Sequence, residues 1–244
     1  EFYIMNYIKG EAPSDNPPYH LDPDGMMGRA NSEKRRKVWI DWLFHLSNLH
    51  NLNLKDISLD DFYEEDINVN PVISDIEYYK NFLDWGMDGE PNNLCDDVIK
   101  WLKKNIPSDS NPNKLCWGDS RLGNVLYQDY KASALLDWEM SSIGDPVSDL
   151  AWGFAVDDAS SLGLGIKKLE GSLTSSEAID IWEKNTNLSS KNYKFYRIFS
   201  LLKFSIIMIR VAKKLMINNI IELEKDFYKN NYISNFLEKE FKQI

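Results

Sequence analysis

Leu115-Cys-Trp-Gly-Asp-Ser-Arg-Leu-Gly-Asn-Val-Leu-Tyr127, followed shortly by Leu135-Leu-Asp-Trp-Glu139, decides the fold. Three short β-like runs lie in or beside this stretch: Lys114–Trp117 is apolar, Asn124–Gln128 alternates, and Ala132–Trp138 is again apolar. The turn-forming Asp129-Tyr130-Lys131 joins the last two as a predicted hairpin. On either side the pattern turns helical. Val38, Trp39, Trp42, Leu43, Leu46 and Leu49 mark one face at a period of 3.6, with Asn31 or Ser32 as the cap. Further helices are predicted from Ser74 through Tyr78, Phe82 and Trp85, and over Leu94–Asn105. After Asp149 amphipathic stretches cover Ser176–Glu183, Tyr193–Met216 and Asn219–Phe241. Phe2–Ile8 reads as a short strand, and residues 11–29, with four prolines and two glycines, as a loop. The expected class is α+β, mostly α: a helical lobe over residues 11–244 around a small central β hairpin or sheet, preceded by a strand within residues 1–10.

Composition narrows the functions. The 244 residues are 43% hydrophobic and 27% charged, which excludes a disordered chain, a collagen-like chain and a small disulfide scaffold. Lys and Arg number 28 against 38 Asp and Glu, a formal net charge of −10 that argues against nucleic-acid binding through a basic field. Two cysteines and three histidines (His20, His45, His50) can build neither a disulfide framework nor a zinc site, so a reducing, cytoplasmic setting is expected. The most apolar run, Phe199–Met216, carries Lys203, Arg210, Lys213 and Lys214 and reads as a core helix, not a membrane span.

The polar residues of the central stretch keep a rhythm. Asn124 follows Asp119 by five residues, and Asp137 follows Asn124 by thirteen. Singly, each has an ordinary explanation as a turn or cap residue. Together, flanked by strands, they are the set phosphoryl transfer needs: a carboxylate to orient and deprotonate an attacking hydroxyl, and oxygen ligands for magnesium. The Asp-x-x-x-x-Asn spacing is that of a kinase catalytic loop, and Asp137 ends a strand as the Asp of the Asp-Phe-Gly motif does, with Trp138-Glu139 in place of Phe-Gly. A hydrolase reading of Gly118-Asp-Ser120 fails, because no histidine follows His50 in the chain.

Trp117-Gly-Asp-Ser-Arg-Leu-Gly-Asn-Val125, Leu136-Asp-Trp-Glu-Met140 and Ile143-Gly-Asp-Pro-Val-Ser-Asp-Leu-Ala-Trp152 resemble the aminoglycoside phosphotransferase/choline kinase superfamily. Within it they look most like the branch of kinase-like domains associated with acyl-CoA dehydrogenases. The likeness implies a protein-kinase-like C-terminal lobe with Asp119 as catalytic base and Asn124 and Asp137 as magnesium ligands. It implies that Asp149 braces the catalytic loop from the next helix. Trp117 stands where the family usually has His, a packing and loop-shaping position. Arg121 is expected to brace the loop more than to contact phosphate, Glu139 to be a second acceptor near the metal or a helix-start acid, and His50 to be a packing histidine.

Phe2-Tyr-Ile-Met-Asn-Tyr-Ile-Lys-Gly10 resembles the hinge of the same family, which would set backbone groups of Asn6, Tyr7 and Ile8 against adenine. The chain opens in mid-run without an initiator methionine, so it is expected to begin inside a larger protein, with the lobe that clamps nucleotide lying upstream. The implied activity is ATP- and magnesium-dependent phosphate transfer to the hydroxyl of a small molecule, with no nucleic-acid or membrane partner. The competing expectation is a kinase-like module that binds a ligand or partner without transferring phosphate. For the acceptor, the acidity of the chain suits an aminoglycoside or choline-like amine, whereas the branch resemblance points to a hydroxylated acyl or other non-cationic compound.

Overall fold

The computed structural model describes residues 6–56, 70–218 and 226–244. Two small antiparallel pairs form the β patch. β1 (Lys114–Cys116) pairs with β4 (Ser142–Gly144), Leu115 lying opposite Ile143. β2 (Val125–Gln128) and β3 (Lys131–Leu135) form the expected hairpin. Its turn is tighter than expected. Asp129 and Tyr130 both take left-handed φ (51° and 61°), the two-residue geometry that matches strand twist, and Lys131 already belongs to β3. β4 escaped the sequence reading because three residues are too few to show a period.

Helices surround the patch: α1 (Met26–Arg29), α2 (Ser32–Asn51), α3 (Pro71–Met87), α4 (Asn93–Lys104), α5 (Val147–Ala159), α6 (Ser175–Thr186), α7 (Tyr193–Ile217) and α8 (Tyr232–Phe241). Local chemistry accounts for their starts. Asn31 caps α2 by accepting from the Lys34 amide, and Thr174 with Glu177 closes a capping box on α6. α3 begins at Pro71 rather than Ser74, because Asn70 caps it and proline suits the first helical position. The stretch expected to be helical from Asn219 becomes α8 only at Tyr232, where Asn231 and Ser234 form a capping box. Residues 226–230 are turns, and 219–225 lie outside the described residues. Residues 6–10 carry no strand: Tyr7 and Ile8 are exposed, and among the described residues the first pairing with the hairpin comes at Glu11, whose amide and carbonyl bond those of Tyr127. Residues 2–5 of that expected strand lie outside the described residues. Between α5 and α6 a single 3₁₀ turn, Leu162–Leu164, is ended by Gly165.

α5 is the centre of the lobe. Apolar residues occur all round it, and α2, α7 and α8 cover it. Trp39 stacks on Phe154 at 5.1 Å, while Trp42 meets the same ring edge-on at 5.9 Å. Three buried carboxylates on α5 all have partners, as burial of charge requires. Asp149 meets His50, and Asp158 meets Lys168 and Arg197. Asp157 accepts from Tyr19 and pairs with His20 and Lys168. Burial alone would raise the Asp157 carboxyl, but His20 and Lys168 outweigh it and hold it below the usual range. These contacts fasten the N-terminal loop and the α5–α6 connection to the central helix. Among the described residues no helix is long and apolar enough to cross a membrane.

Candidate active site

The loop between β1 and β2 lies against the N-terminal half of α5. Asp149, in the first turn of that helix, accepts the Trp117 amide on Oδ2 (2.6 Å) and the Gly118 amide on Oδ1 (2.8 Å). Its backbone carbonyl accepts the Ser120 hydroxyl at 2.6 Å. From behind, His50 Nε2 lies 3.1 Å from Asp149 Oδ2, and the Trp182 indole N–H donates to His50 Nδ1 at 2.9 Å. Because Nδ1 accepts, the network puts the imidazole proton on Nε2, facing Asp149. Trp42 adds an indole N–H to the Ser120 carbonyl at 2.9 Å. The loop is therefore tied to α2, α5 and α6 through fully buried groups.

Gly118 turns the chain at φ 86°, and a Cβ built there would stand 2.0 Å from the Met140 carbonyl oxygen. A left-handed backbone and a backbone clash act together at this position. We expect Gly118→Ala to lower stability by about 2–4 kcal/mol, read from denaturant midpoints at unchanged m. A shift below about 0.5 kcal/mol, the size of an ordinary surface change, would show that the turn relaxes at little cost.

Asp119 follows this turn and keeps its side chain 13% exposed. Three donors hold the carboxylate. The Trp152 indole N–H gives 2.6 Å to Oδ1, Asn124 Nδ2 gives 2.8 Å to Oδ2, and Arg121 Nε lies 3.0 Å from Oδ2. A carboxylate offers about four lone-pair directions, so one oriented this way can still accept a proton. Arg121 also pairs with Asp15 in the N-terminal loop. Burial opposes the charge on its guanidinium, but Asp119 and Asp15 together raise its affinity for protons. Arg121 thus bridges two loops, as expected of a bracing residue.

Asn124 and Asp137 come together across the open end of the hairpin. Val125 is registered with Leu135, and the Leu136 amide donates to the Asn124 carbonyl at 2.8 Å, so Asp137 follows directly after the residue bonded to Asn124. The Asn124 amide nitrogen is committed to Asp119, which leaves its Oδ1 as the free end. Asp137 takes left-handed φ (59°), is exposed, and accepts no hydrogen bond from the described residues. A carboxylate and an amide oxygen, both hard and both unengaged, are donors of the kind magnesium takes; among the described residues no group of three or more His, Cys, Asp or Glu gathers to hold a metal by itself. Trp117 is fully buried, with its indole N–H on the Leu136 carbonyl at 2.8 Å and its ring 5.8 Å from that of Trp138, so it shapes the segment that carries Asp137. Glu139 is exposed and accepts no hydrogen bond from the described residues, and Asn6, Tyr7 and Ile8 are exposed as well.

Trp152 entered the sequence reading only as the end of a family-like motif, and its bond to Asp119 was missed. The spacing held a signal, since Trp152 lies three residues after Asp149 and shares its face of the helix. Asp15 carried no signal of its own within a loop.

A mostly helical lobe with this hairpin and loop is the kinase-like phosphotransferase architecture, and solved structures bear that out. A candidate aminoglycoside phosphotransferase from Ralstonia eutropha superposes with a TM-score of 0.73 at 18% identity, over 98% of this chain and 73% of that one. An ethanolamine kinase from Plasmodium vivax gives 0.57 at 14% identity, over 96% and 63%. The model of the phosphotransferase enzyme family matches residues 1–165, and the chain belongs to that family. It is 28% identical over 153 residues to human acyl-CoA dehydrogenase family member 11, covering 62% of this chain and 18% of that protein. It is 25% identical over 231 residues to mouse acyl-CoA dehydrogenase family member 10, covering 87% and 20%. The chain thus spans about a fifth of the length of these curated relatives.

Proposed function

We propose that the protein transfers the γ-phosphate of ATP to the hydroxyl of a small molecule. The observation that carries this reading is the triply held Asp119 carboxylate beside Asn124, with Asp137 next to Asn124 at the open end of the hairpin. Asp119 orients the attacking hydroxyl and takes its proton. Trp152, Asn124 and Arg121 keep the carboxylate in place while this happens, and Asp149 holds the loop that carries it. Asn124 Oδ1 and the Asp137 carboxylate would hold magnesium, which when bound neutralises the charge of the transferring phosphoryl group. Backbone groups at Asn6–Ile8 would meet adenine, and Glu139 would be a second acceptor near the metal. The protein would work in the cytoplasm.

The test is ATP binding by the full-length protein with and without magnesium, read by calorimetry. Wild type is expected to bind ATP at least ~10-fold more tightly with the metal, and Asp137→Ala to lose most of that gain while keeping its metal-free affinity. Equal magnesium dependence in both proteins would remove Asp137 from the metal site. Absence of ATP binding under any condition would favour a module that recognises a different ligand.

A further inference from the structure

The three donors that hold Asp119 differ in what fixes them. Trp152 comes from α5 and Asn124 from the 3₁₀ turn before β2, and both are buried. Arg121 reaches the carboxylate with a long, partly exposed side chain, its Nε 3.2 Å from Oδ1 and 3.0 Å from Oδ2. A side chain with that much rotamer freedom keeps one direction only when its far end is tied as well. Asp15 ties it, accepting from Nη1 of the same guanidinium. The guanidinium is a rigid plane, so a carboxylate on Nη1 sets the direction in which Nε points.

Asp15 belongs to a loop fastened on both sides of it. Before it, the Glu11 amide and carbonyl each bond Tyr127 on β2 at 2.9 Å; after it, Tyr19 and His20 meet the buried Asp157 on α5. Gly123 keeps the approach open, since a Cβ built there would stand 2.6 Å from Asp15 Oδ1 and 2.7 Å from Arg121 Nη1. Side-chain exposure falls from 58% at Asp15 to 24% at Arg121 and 13% at Asp119. An ion pair as open as that of Asp15 with Arg121 adds little to stability. One guanidinium away from the base, it acts instead on the direction of that carboxylate.

Resting on the phosphotransfer reading above, we propose that Asp15 is a positioning residue for the reaction: it anchors Arg121, and through Arg121 it keeps the Asp119 carboxylate facing the hydroxyl whose proton it takes. Two residues 106 apart in the chain then act as one unit, and the N-terminal loop takes part in the transfer.

The acceptor used in the test is water, whose oxygen bonds the γ-phosphorus as ADP leaves while its proton passes to Asp119. ADP release is followed over a range of ATP with magnesium, on full-length wild type, Asp15→Asn, Arg121→Met and the double variant. Asp15→Asn is expected to lower kcat at least ~3-fold, with KM for ATP within ~3-fold of wild type. Its urea midpoint is expected within about 0.5 M of wild type, the scale of one exposed ion pair. Because Asp15 acts through Arg121, adding Asp15→Asn to Arg121→Met should cost no further turnover. A smaller fall in kcat, a rise in KM for ATP in its place, a larger midpoint shift, a full additional loss in the double variant, or no turnover in wild type would each overturn the proposal. Magnesium-dependent ATP binding in the same preparations separates the failures: where it persists, only the role of Asp15 falls, and where it is absent the phosphotransfer reading falls too.

Discussion

Asp119→Asn in the full-length protein is expected to lower kcat by about 10²–10⁴-fold while leaving magnesium-dependent ATP affinity within a few-fold of wild type. The amide cannot take the proton of the attacking hydroxyl. It also has only one acceptor oxygen where the carboxylate has two, so it cannot keep Trp152, Asn124 and Arg121 satisfied together. Part of the loss therefore belongs to orientation. Trp152→Phe isolates that part, because it removes the indole N–H that donates at 2.6 Å and keeps both base and ring. A smaller fall is expected there, on the order of 10-fold. The pair is read by steady-state kinetics of phosphorylated product, with calorimetry for ATP. Retained turnover in Asp119→Asn would remove Asp119 from the role of base.

The largest effect on stability is expected at Asp149. Its carboxylate receives two backbone amides and faces the protonated nitrogen of His50, all inside the lobe. Asp149→Ala strands these three donors without water, each at about 1–3 kcal/mol. A loss of about 3–5 kcal/mol is expected, and catalysis should fall with it because the loop bearing Asp119 loses its anchor. Asp149→Asn repairs little, since one oxygen cannot serve donors that now use both. Urea unfolding of the two variants beside wild type checks this. A shift below about 1 kcal/mol in both would mean that the loop is held by Trp42 and Ser120 without the carboxylate.

These expectations differ in how far they could be read from the chain itself. Asp119, Asn124 and Asp137 were legible because they lie within nineteen residues, in a loop and hairpin whose strands advertise themselves by local pattern. The Asp149 contact to the loop was implied by family likeness, and in the fold it consists of two hydrogen bonds, from the Trp117 and Gly118 amides. The partners behind it were not legible. His50 is 99 residues from Asp149 and 132 from Trp182, and His20 is 137 from Asp157. Nothing in a hydrophobic period says which buried face meets which.

By itself the sequence determined the class, most of the helices around one hairpin, and the short stretch of loop and hairpin that carries Asp119, Asn124 and Asp137; it missed the short α1 and set the start of α8 too early. What it determined follows from neighbours in the chain: caps, turn residues, and apolar spacing of 2 or 3.6. Only the tertiary structure decided that an indole from α5 holds Asp119, that a buried imidazole stands behind Asp149, and that Asp15 pairs with the arginine beside the base. The physical reason is range. A hydrogen bond or a close ion pair acts over a few ångströms in space, and packing alone brings residues that far apart in the chain within that distance.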